Sequence, residues 1–315
     1  MVTLVFQNVE KRTCLAKITL AAFLPILDSA FPMKFNRIIA KLDIKGPNLV
    51  KGIRLEGLRV LGKPEDFARL YYHQGADELI FIDAVASLYG RNNLAHIIEK
   101  TSREIFIPMT VGGGLRTIDD IREVLRAGAD KVALNTAAIK TPDFISQAAR
   151  VFGSSTIVVA IDAGKKPQGN YEVFTNYGRQ STGLDAFTWA RQAVELGAGE
   201  LLITSIDRDG TGNGFDLDLI TPLARDLGVP VIAVGGAGKL DHISEVIQKG
   251  HADAITAASM LHYKALKELH MDEKRFQEEG NISFLKSLES FKRVEGMDIA
   301  TMKNFLKQKG IACRE

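Results

Sequence analysis

Arg37–Lys45, RIIAKLDIK, is the stretch that decides the fold: a short apolar run with an aspartate, Asp43, near its end. A near copy, IVVAIDAGK, occupies Ile157–Lys165 and carries Asp162 in the matching place, 119 residues further on. Runs of this length that are almost wholly apolar are typical of strands buried on both faces. Two such strands, each ending with a carboxylate, predict an acid and base pair with a substrate held between them.

Short apolar strands alternate with helical segments from Phe35 onward. The predicted strands are Arg37–Leu42, Glu78–Ile82, Ile107–Val111, Lys131–Leu134, Thr156–Ile161, Glu200–Thr204, Pro230–Val234 and Ala254–Ala257. Helix ends are marked between them, for example by Thr117 as a helix N-cap with Asp120 three residues later. Eight strands with alternating helices predict a (β/α)₈ (TIM) barrel, with a doubly wound open sheet as the alternative.

The sequence repeats with a period of about 120 residues, which favours the barrel over the open sheet. Gly75–Ser87, GADELIFIDAVAS, resembles Gly197–Gly210, and Thr110–Ala138 resembles Ala233–Ser259. With the two aspartate strands, these make three matched pairs in the same order. We therefore expect two similar half-barrels, with the two aspartates facing each other across the barrel mouth.

Two segments stand outside this pattern. Residues 1–32 combine Lys11 and Arg12 with an apolar run, which resembles a weak secretory signal. A start at Met33, or a loosely held tail, is the preferred interpretation of this N-terminal extension. We expect one barrel domain over residues 33–315. A charged helical insertion is predicted at about 264–298, as a surface element.

The composition argues against several classes of partner. Lys and Arg number 40 against 38 Asp and Glu, a net charge of +2, which does not suggest nucleic acid or an anionic membrane. No stretch is long and apolar enough to span a bilayer. The two cysteines lie near opposite ends, so a reducing cytoplasm is the default expectation. The six histidines show no metal-ligand spacing and no dinucleotide motif occurs, so neither a metal nor a cofactor is expected.

Glycine-rich turns follow the third and seventh strands and predict phosphate contacts. The active site of a (β/α)₈ barrel lies at the carboxyl ends of its strands. Glycine N–H groups and helix N-termini there suit phosphate oxygens. The candidate residues are Gly113, Gly114, Asn135 and Thr136 on one side, and Gly235, Gly236 and Ser259 on the other. Two such groups, half a barrel apart, predict a substrate with a phosphate at each end.

Other polar residues complete the predicted site. Thr204 and Asp209, in a polar stretch after strand six, are candidates for substrate contact. Lys51, in the long loop predicted over Ile44–Lys63, can reach a phosphate or steady that loop. At the opposite end of the barrel, charged residues begin strands one, two, four and six: Arg37, Glu78, Lys131 and Glu200. They can form a neutral ring, either as a stabilising network or as a gate into the barrel interior.

Together these motifs resemble the family of the cyclase (HisF) subunit of imidazole glycerol phosphate synthase. The similarity covers about residues 37–263 and resumes at Ile299–Arg314, and it rests on RIIAKLDIK, TVGGGLR, GADKVALNTAA, VVAIDA and GAGELLITSIDRDGTGNG. The resemblance implies a subunit that takes ammonia from a partner glutaminase (HisH-like) in a heterodimer. It would join the ammonia to a bisphosphorylated phosphoribulosyl-formimino carboxamide ribonucleotide. Imidazole glycerol phosphate and aminoimidazole carboxamide ribonucleotide would be formed, in histidine biosynthesis.

The resemblance also implies roles for the residues already singled out. Asp43 and Asp162 inherit the acid and base roles, and Lys51 matches a lysine of the family's first loop. The four-residue charged ring matches the ammonia gate, so the glutaminase is expected to dock at that end. Substrate-contacting positions of the family are matched by Asn135, Thr204, Asp209 and Ser259.

The chain departs from the family's usual pattern in two places. Gly46-Pro47-Asn48 stands where an Asp-Gly-Arg-like turn is usual, and Ala40-Lys41 stands where a cysteine is usual. KLDIKGPNLVKGIRLEGLRVLG and ASLYGRN resemble a paralogous branch associated with amidination of surface sugars. An ammonia-channelling subunit for a sugar amidotransferase in surface polysaccharide biosynthesis is therefore the alternative function. A related bisphosphate sugar isomerase is disfavoured by the charged ring.

Overall fold

The computed structural model of the chain describes residues 35–89, 94–269 and 293–314. The strands are β1 Arg37–Lys45, β2 Asn48–Ile53, β3 Glu56–Gly62, β4 Glu78–Asp83, β5 Met109–Gly112, β6 Lys131–Leu134, β7 Ile157–Lys165, β8 Tyr171–Thr175, β9 Gln180–Asp185, β10 Glu200–Ser205, β11 Val231–Val234 and β12 Ala254–Thr256. The helices are α1 Pro64–His73, α2 Ala86–Tyr89, α3 Leu94–Ser102, α4 Ile118–Arg126, α5 Thr136–Lys140, α6 Asp143–Phe152, α7 Ala186–Glu195, α8 Leu217–Asp226, α9 Leu240–Gln248, α10 Ala258–Leu269 and α11 Ile299–Gln308.

Eight parallel strands close into a barrel, which confirms the predicted (β/α)₈ fold. In order around the barrel they are β1, β4, β5, β6, β7, β10, β11 and β12, and β12 pairs again with β1. Helices lie between successive barrel strands in the chain. The capping box predicted for α4 is complete, since Thr117 accepts from the N–H of Asp120 and the Asp120 side chain accepts from the N–H of Thr117.

The two aspartate strands run further than their sequence predicts. They continue to Lys45 and Lys165 because each pairs with an antiparallel hairpin, β2–β3 in one half of the barrel and β8–β9 in the other. The prediction of a loop over Ile44–Lys63 was therefore wrong. Strand β2 is buried along nearly all of its length. It therefore lacks the alternation of polar and apolar residues that marks a half-buried strand.

The barrel interior changes character along the strands. Side chains alternate between the two faces of a strand, so β1 directs Arg37, Ile39, Lys41 and Asp43 inward. An apolar cluster fills the middle of the interior: Ile39, Ile80, Ala133, Val158, Ala160, Leu202, Ile232, Val234 and Ala254. A separate and larger apolar core includes Ile38, on the opposite face of β1, together with residues of the surrounding helices. A charged end, an apolar middle and a polar mouth therefore follow one another along the barrel axis.

The segments predicted outside the barrel pattern are described only in part. The N-terminal extension, residues 1–32, lies outside the described residues, as does 270–292 of the predicted insertion at about 264–298. Residues 264–269 continue helix α10, and the N–H of Glu295 donates to the carbonyl of Gly238 at 2.8 Å. Within the described ranges, no helix is long and apolar enough to cross a membrane.

Candidate active site

The carboxyl ends of the barrel strands form a mouth with two cavities that share Lys41 in their walls. The larger cavity is lined by residues that include Gly113, Gly114, Asn135, Thr136, Asp162 and Thr204. The smaller cavity is lined by residues that include Asp43, Lys51, Asp209, Gly235, Gly236 and Ser259. The structure thus brings every acid, base and phosphate-binding candidate to one mouth.

Asp43 is fully buried at the end of the interior face of β1. Lys41, two residues earlier, forms an ion pair with Asp43 Oδ1. Asp43 Oδ2 is also buried and has no hydrogen-bond partner among the described residues. Burial alone would raise the pKa of Asp43, but the ammonium groups of Lys41 and Lys51 together outweigh it and lower that pKa below its ordinary value. Asp43 is therefore a carboxylate at neutral pH.

Asp162 has a different environment in the larger cavity. Its side chain opens onto the cavity on one side and is surrounded by protein on the others. Asn135 Nδ2 donates to Asp162 Oδ2 at 3.2 Å. Burial raises the pKa of Asp162 to about 6, although Lys41 and Thr204 act in the opposite direction. The pKa values of the two aspartates are thus pushed apart, which is the pattern of an acid and base pair.

Lys51 and Asp209 form a buried ion pair in the smaller cavity. Lys51 Nζ donates to both carboxylate oxygens of Asp209, at 2.9 Å each. Burial by itself lowers the pKa of a lysine, but Asp209 and Asp43 outweigh this and raise the pKa of Lys51. Arg54 N–H donates to the Asp209 carbonyl at 2.9 Å, so two contacts tie the first hairpin to the loop after β10.

The glycine turns of both cavities have backbone conformations and surroundings that only glycine fits. Gly236 has a φ of +109°, and a Cβ atom there would lie 2.1 Å from the Gly214 carbonyl oxygen. Gly113 has a φ of +105°, and a Cβ atom there would lie 2.6 Å from the Asp83 carbonyl oxygen. The two turns, one in each half of the barrel, match in backbone conformation as well as in sequence.

Each cavity also has cations in its wall. Arg116 and Lys140 line the larger cavity, and Lys51 lines the smaller one. With the glycine N–H groups, these side chains can hold phosphate at both ends of the mouth. In the part of the chain that the structure describes, no three His, Cys, Asp or Glu side chains lie together as metal ligands.

Sequence reasoning missed several residues of the mouth, among them Arg116, Lys140, Lys41 and Tyr177. Lys41 stood out only as a departure from a family pattern, although its two-residue spacing from Asp43 places both side chains on one strand face. Tyr177 lies in the turn between β8 and β9 with a left-handed φ of +58°. Its buried hydroxyl has no partner within the described ranges, yet it contributes to the low pKa of Asp43. No sequence signal marked Tyr177, because its hairpin was not predicted.

The opposite end of the barrel is closed by a ring of ion pairs. Arg37 donates to Glu78 at 2.7 Å and also pairs with Glu200. Lys131 Nζ donates to Glu200 at 2.9 Å and to Glu78 at 3.2 Å. Arg37 and both glutamates are buried, while Lys131 is partly exposed. Every residue of the ring therefore bridges two residues of opposite charge.

Comparison with known proteins agrees with this fold. A family described as "Histidine biosynthesis protein" matches residues 37–267. Imidazole glycerol phosphate synthase subunit HisF of Legionella pneumophila is 56% identical over 208 residues, which cover 66% of this chain and 98% of that protein. The chain is a (β/α)₈-barrel enzyme and belongs to the family of histidine biosynthesis proteins. Within that family it is a homologue of HisF.

Proposed function

We propose that the chain is the cyclase subunit of an imidazole glycerol phosphate synthase in histidine biosynthesis. It joins ammonia to the bisphosphorylated phosphoribulosyl-formimino carboxamide ribonucleotide. Imidazole glycerol phosphate and aminoimidazole carboxamide ribonucleotide leave the site. The observation that carries the proposal is the pair Asp43 and Asp162, whose pKa values are shifted in opposite directions at one barrel mouth. The relation to HisF supports it.

The opposite shifts assign a separate role to each aspartate. Asp43, a carboxylate with Oδ2 unpartnered among the described residues, acts as the general base. Asp162, with a pKa of about 6, is in part protonated near neutral pH and acts as the general acid.

The two cavities hold the two phosphates of the substrate. The turns at Gly113-Gly114 and Gly235-Gly236 bind them through N–H groups, with Thr136 and Ser259 beside the turns. Asn135, Thr204 and Asp209 contact the substrate between its phosphates. Lys51 reaches the substrate in the smaller cavity, where Asp209 holds it.

The ring of Arg37, Glu78, Lys131 and Glu200 is the ammonia gate in this proposal. A glutaminase subunit docks over it as the second member of a heterodimer. Ammonia then crosses the apolar middle of the barrel, where a neutral molecule passes far more readily than an ion. A reducing cytoplasm is the proposed compartment, in line with the cysteine usage.

The alternative role, supplying ammonia to a separate sugar amidotransferase, requires the gate and the apolar interior alone. It requires neither an acid and base pair nor two opposed phosphate sites. The arrangement of the mouth and the relation to HisF therefore favour the cyclase.

The test is turnover of the phosphoribulosyl-formimino substrate by the full chain with ammonium salt and no partner. Asp43→Asn should lower this turnover by about 10²–10⁴-fold, the usual contribution of a general base. Asp119→Asn, at an exposed surface carboxylate, is the matched control and should leave turnover unchanged. Absence of turnover by the folded, unsubstituted chain would overturn the cyclase proposal and leave the ammonia-supplying role.

A further inference from the structure

We propose that Lys41 is a positioning residue that gives the Asp43 half of the duplicated barrel a buried cation at a position where the other half has Ala160. Its ammonium group holds Asp43 in place as a carboxylate, and the second carboxylate oxygen has no hydrogen-bond partner among the described residues. This inference rests on the cyclase function proposed above and assigns a role to a residue that stands where the family usually has a cysteine.

The internal repeat supplies the comparison that supports this role. Aligning the two aspartate strands on Asp43 and Asp162 places Lys41 opposite Ala160. Both of these residues precede their aspartate by two positions, so both face the barrel interior. One carboxylate therefore has a cation beside it on its own strand, while the other has a methyl group. The duplicated halves differ here in charge, directly below the reacting groups.

The surroundings of Lys41 limit which groups can pair with its ammonium group. Its side chain is only 7% exposed, and below it lies the apolar layer that includes Ile39. A buried ammonium group requires a counter-charge, because leaving it unpaired in an apolar interior is costly. Its carboxylate partner in the structure is Asp43, through Oδ1. The Lys41 ammonium also lies 5.8 Å from the centre of the Tyr177 ring.

Other charged and titratable groups lie around Asp43. They are Lys51 on β2, Asp83 on β4, Asp162 on β7, Tyr177 in the β8–β9 turn, Asp209 after β10 and His262 on α10. Lys51 gives two hydrogen bonds to Asp209, which leaves Lys41 as the cation bonded to Asp43. Asp83 accepts from the N–H groups of Val85 and Ala86, at 2.9 Å each.

Two of these neighbours are uncharged. Burial lowers the pKa of His262 to about 3, so its ring is neutral, and its Nδ1 lies 2.6 Å from the Tyr71 hydroxyl. Burial, together with the nearby carboxylates, raises the pKa of Tyr177 well above its ordinary value, so its hydroxyl keeps its proton. Removing Lys41 would therefore change the electrostatics of the mouth without His262 or Tyr177 becoming charged in its place.

The charge of Lys41 acts on both aspartates, which gives the proposal a distinctive consequence. Lys41 lowers the pKa of Asp43 and also acts to lower the pKa of Asp162. An opposite charge at this range lowers a carboxyl pKa by roughly 1–3 pH units. Without Lys41, both pKa values should rise. The pH range in which the base is ionised and the acid is protonated should move upward as a whole.

The test is the pH profile of kcat/KM for Lys41→Met in the full chain, with free ammonia held constant by adjusting the ammonium salt. Both limbs of the profile should move to higher pH by about 1 pH unit or more. Lys41→Arg, which keeps the charge, should restore the limbs to their original positions. A lower rate at every pH with both limbs unmoved would overturn the proposal, because it would show a purely structural role.

A second measurement protects the test against a variant that does not fold. The carboxyl carbon of Asp43 can be titrated by ¹³C NMR in the unsubstituted chain, with Asp43→Asn to assign its signal. We expect a titration below the ordinary aspartate range, and one at or above that range would overturn the proposal for Lys41. Absence of turnover in the unsubstituted chain would instead overturn the cyclase function. The NMR titration of Asp43 does not depend on turnover and would still test the proposal for Lys41.

Discussion

Lys51 and Asp209 meet through two hydrogen bonds of 2.9 Å, and this buried ion pair fixes the first hairpin to the loop that follows β10. The two residues are 158 positions apart in the chain. They belong to different halves of the barrel, so the pair joins the halves at the mouth. It also places a cation beside Asp43, which contributes to the low pKa of that carboxyl.

The Lys51–Asp209 pair predicts a large loss of stability in Asp209→Asn. The substitution leaves the buried Lys51 ammonium group without its hydrogen-bonded carboxylate, so the free energy of unfolding should fall by about 3–5 kcal/mol. Urea unfolding followed by circular dichroism measures this. The exposed Lys249–Glu245 pair provides the control, since Glu245→Gln should change stability by less than about 0.5 kcal/mol. Equal stability of Asp209→Asn and the unsubstituted chain would contradict the prediction.

The raised pKa of Asp162 predicts how turnover depends on pH. A general acid acts in its protonated form, so kcat/KM should fall as pH rises through about 6 when free ammonia is held constant. Asp162→Asn should turn over about 10²–10⁴-fold more slowly, and its residual activity should lack this limb. Steady-state rates between pH 5 and 8, for both the unsubstituted chain and Asp162→Asn, measure this limb. A limb that persists in Asp162→Asn would assign it to another group.

The same group predicts a pH-dependent change in stability. Because the folded-state pKa of Asp162 is raised from 3.8 to about 6, its stabilising contribution is complete below pH 3.8 and is lost as pH rises through about 6. Asp162→Asn should therefore unfold at a higher temperature than the unsubstituted chain at pH 7, but not at pH 4. Since solvent reaches the cavity, the gain should be about 1–3 kcal/mol. Thermal melts at both pH values, with Asp119→Asn as control, test this.

Much of the fold was predictable because its signals are local. Buried parallel strands are apolar along their length, and the repeat located the two aspartates in equivalent places. Strand starts were less predictable: β5 begins at Met109 rather than Ile107, and β11 at Val231 rather than Pro230. In both cases a proline, which lacks an N–H group, precedes the observed strand.

The missed features of the site depend on contacts between distant segments. The ion pair of Lys51 with Asp209 joins segments that nothing in the local sequence connects. Tyr177 comes near Asp43 only because the β8–β9 hairpin folds over the mouth, and a hairpin with buried residues gives a weak strand pattern. Pairwise electrostatics inside a barrel thus follow from the fold, and they appear in the sequence only once strand register is known.

The charged ring predicts a difference between two sources of ammonia. Lys131→Met leaves Arg37 as the cation facing Glu78 and Glu200 in the ring, so the ring gains a net negative charge. Turnover driven by glutamine through the proposed glutaminase subunit should fall by about tenfold, which corresponds to a barrier higher by about 1.4 kcal/mol. Turnover with ammonium salt, which enters at the open mouth, should stay unchanged.

Comparing the two rates in one preparation separates the gate from a general loss of activity. Lys249→Met, which removes an exposed lysine far from any role assigned above, is the matched control and should leave both rates unchanged. If Lys131→Met lowered both rates equally, the ring would be a stabilising network of the barrel end. If it lowered only the glutamine-driven rate while the glutaminase still bound and hydrolysed glutamine at an unchanged rate, ammonia would have to pass the ring.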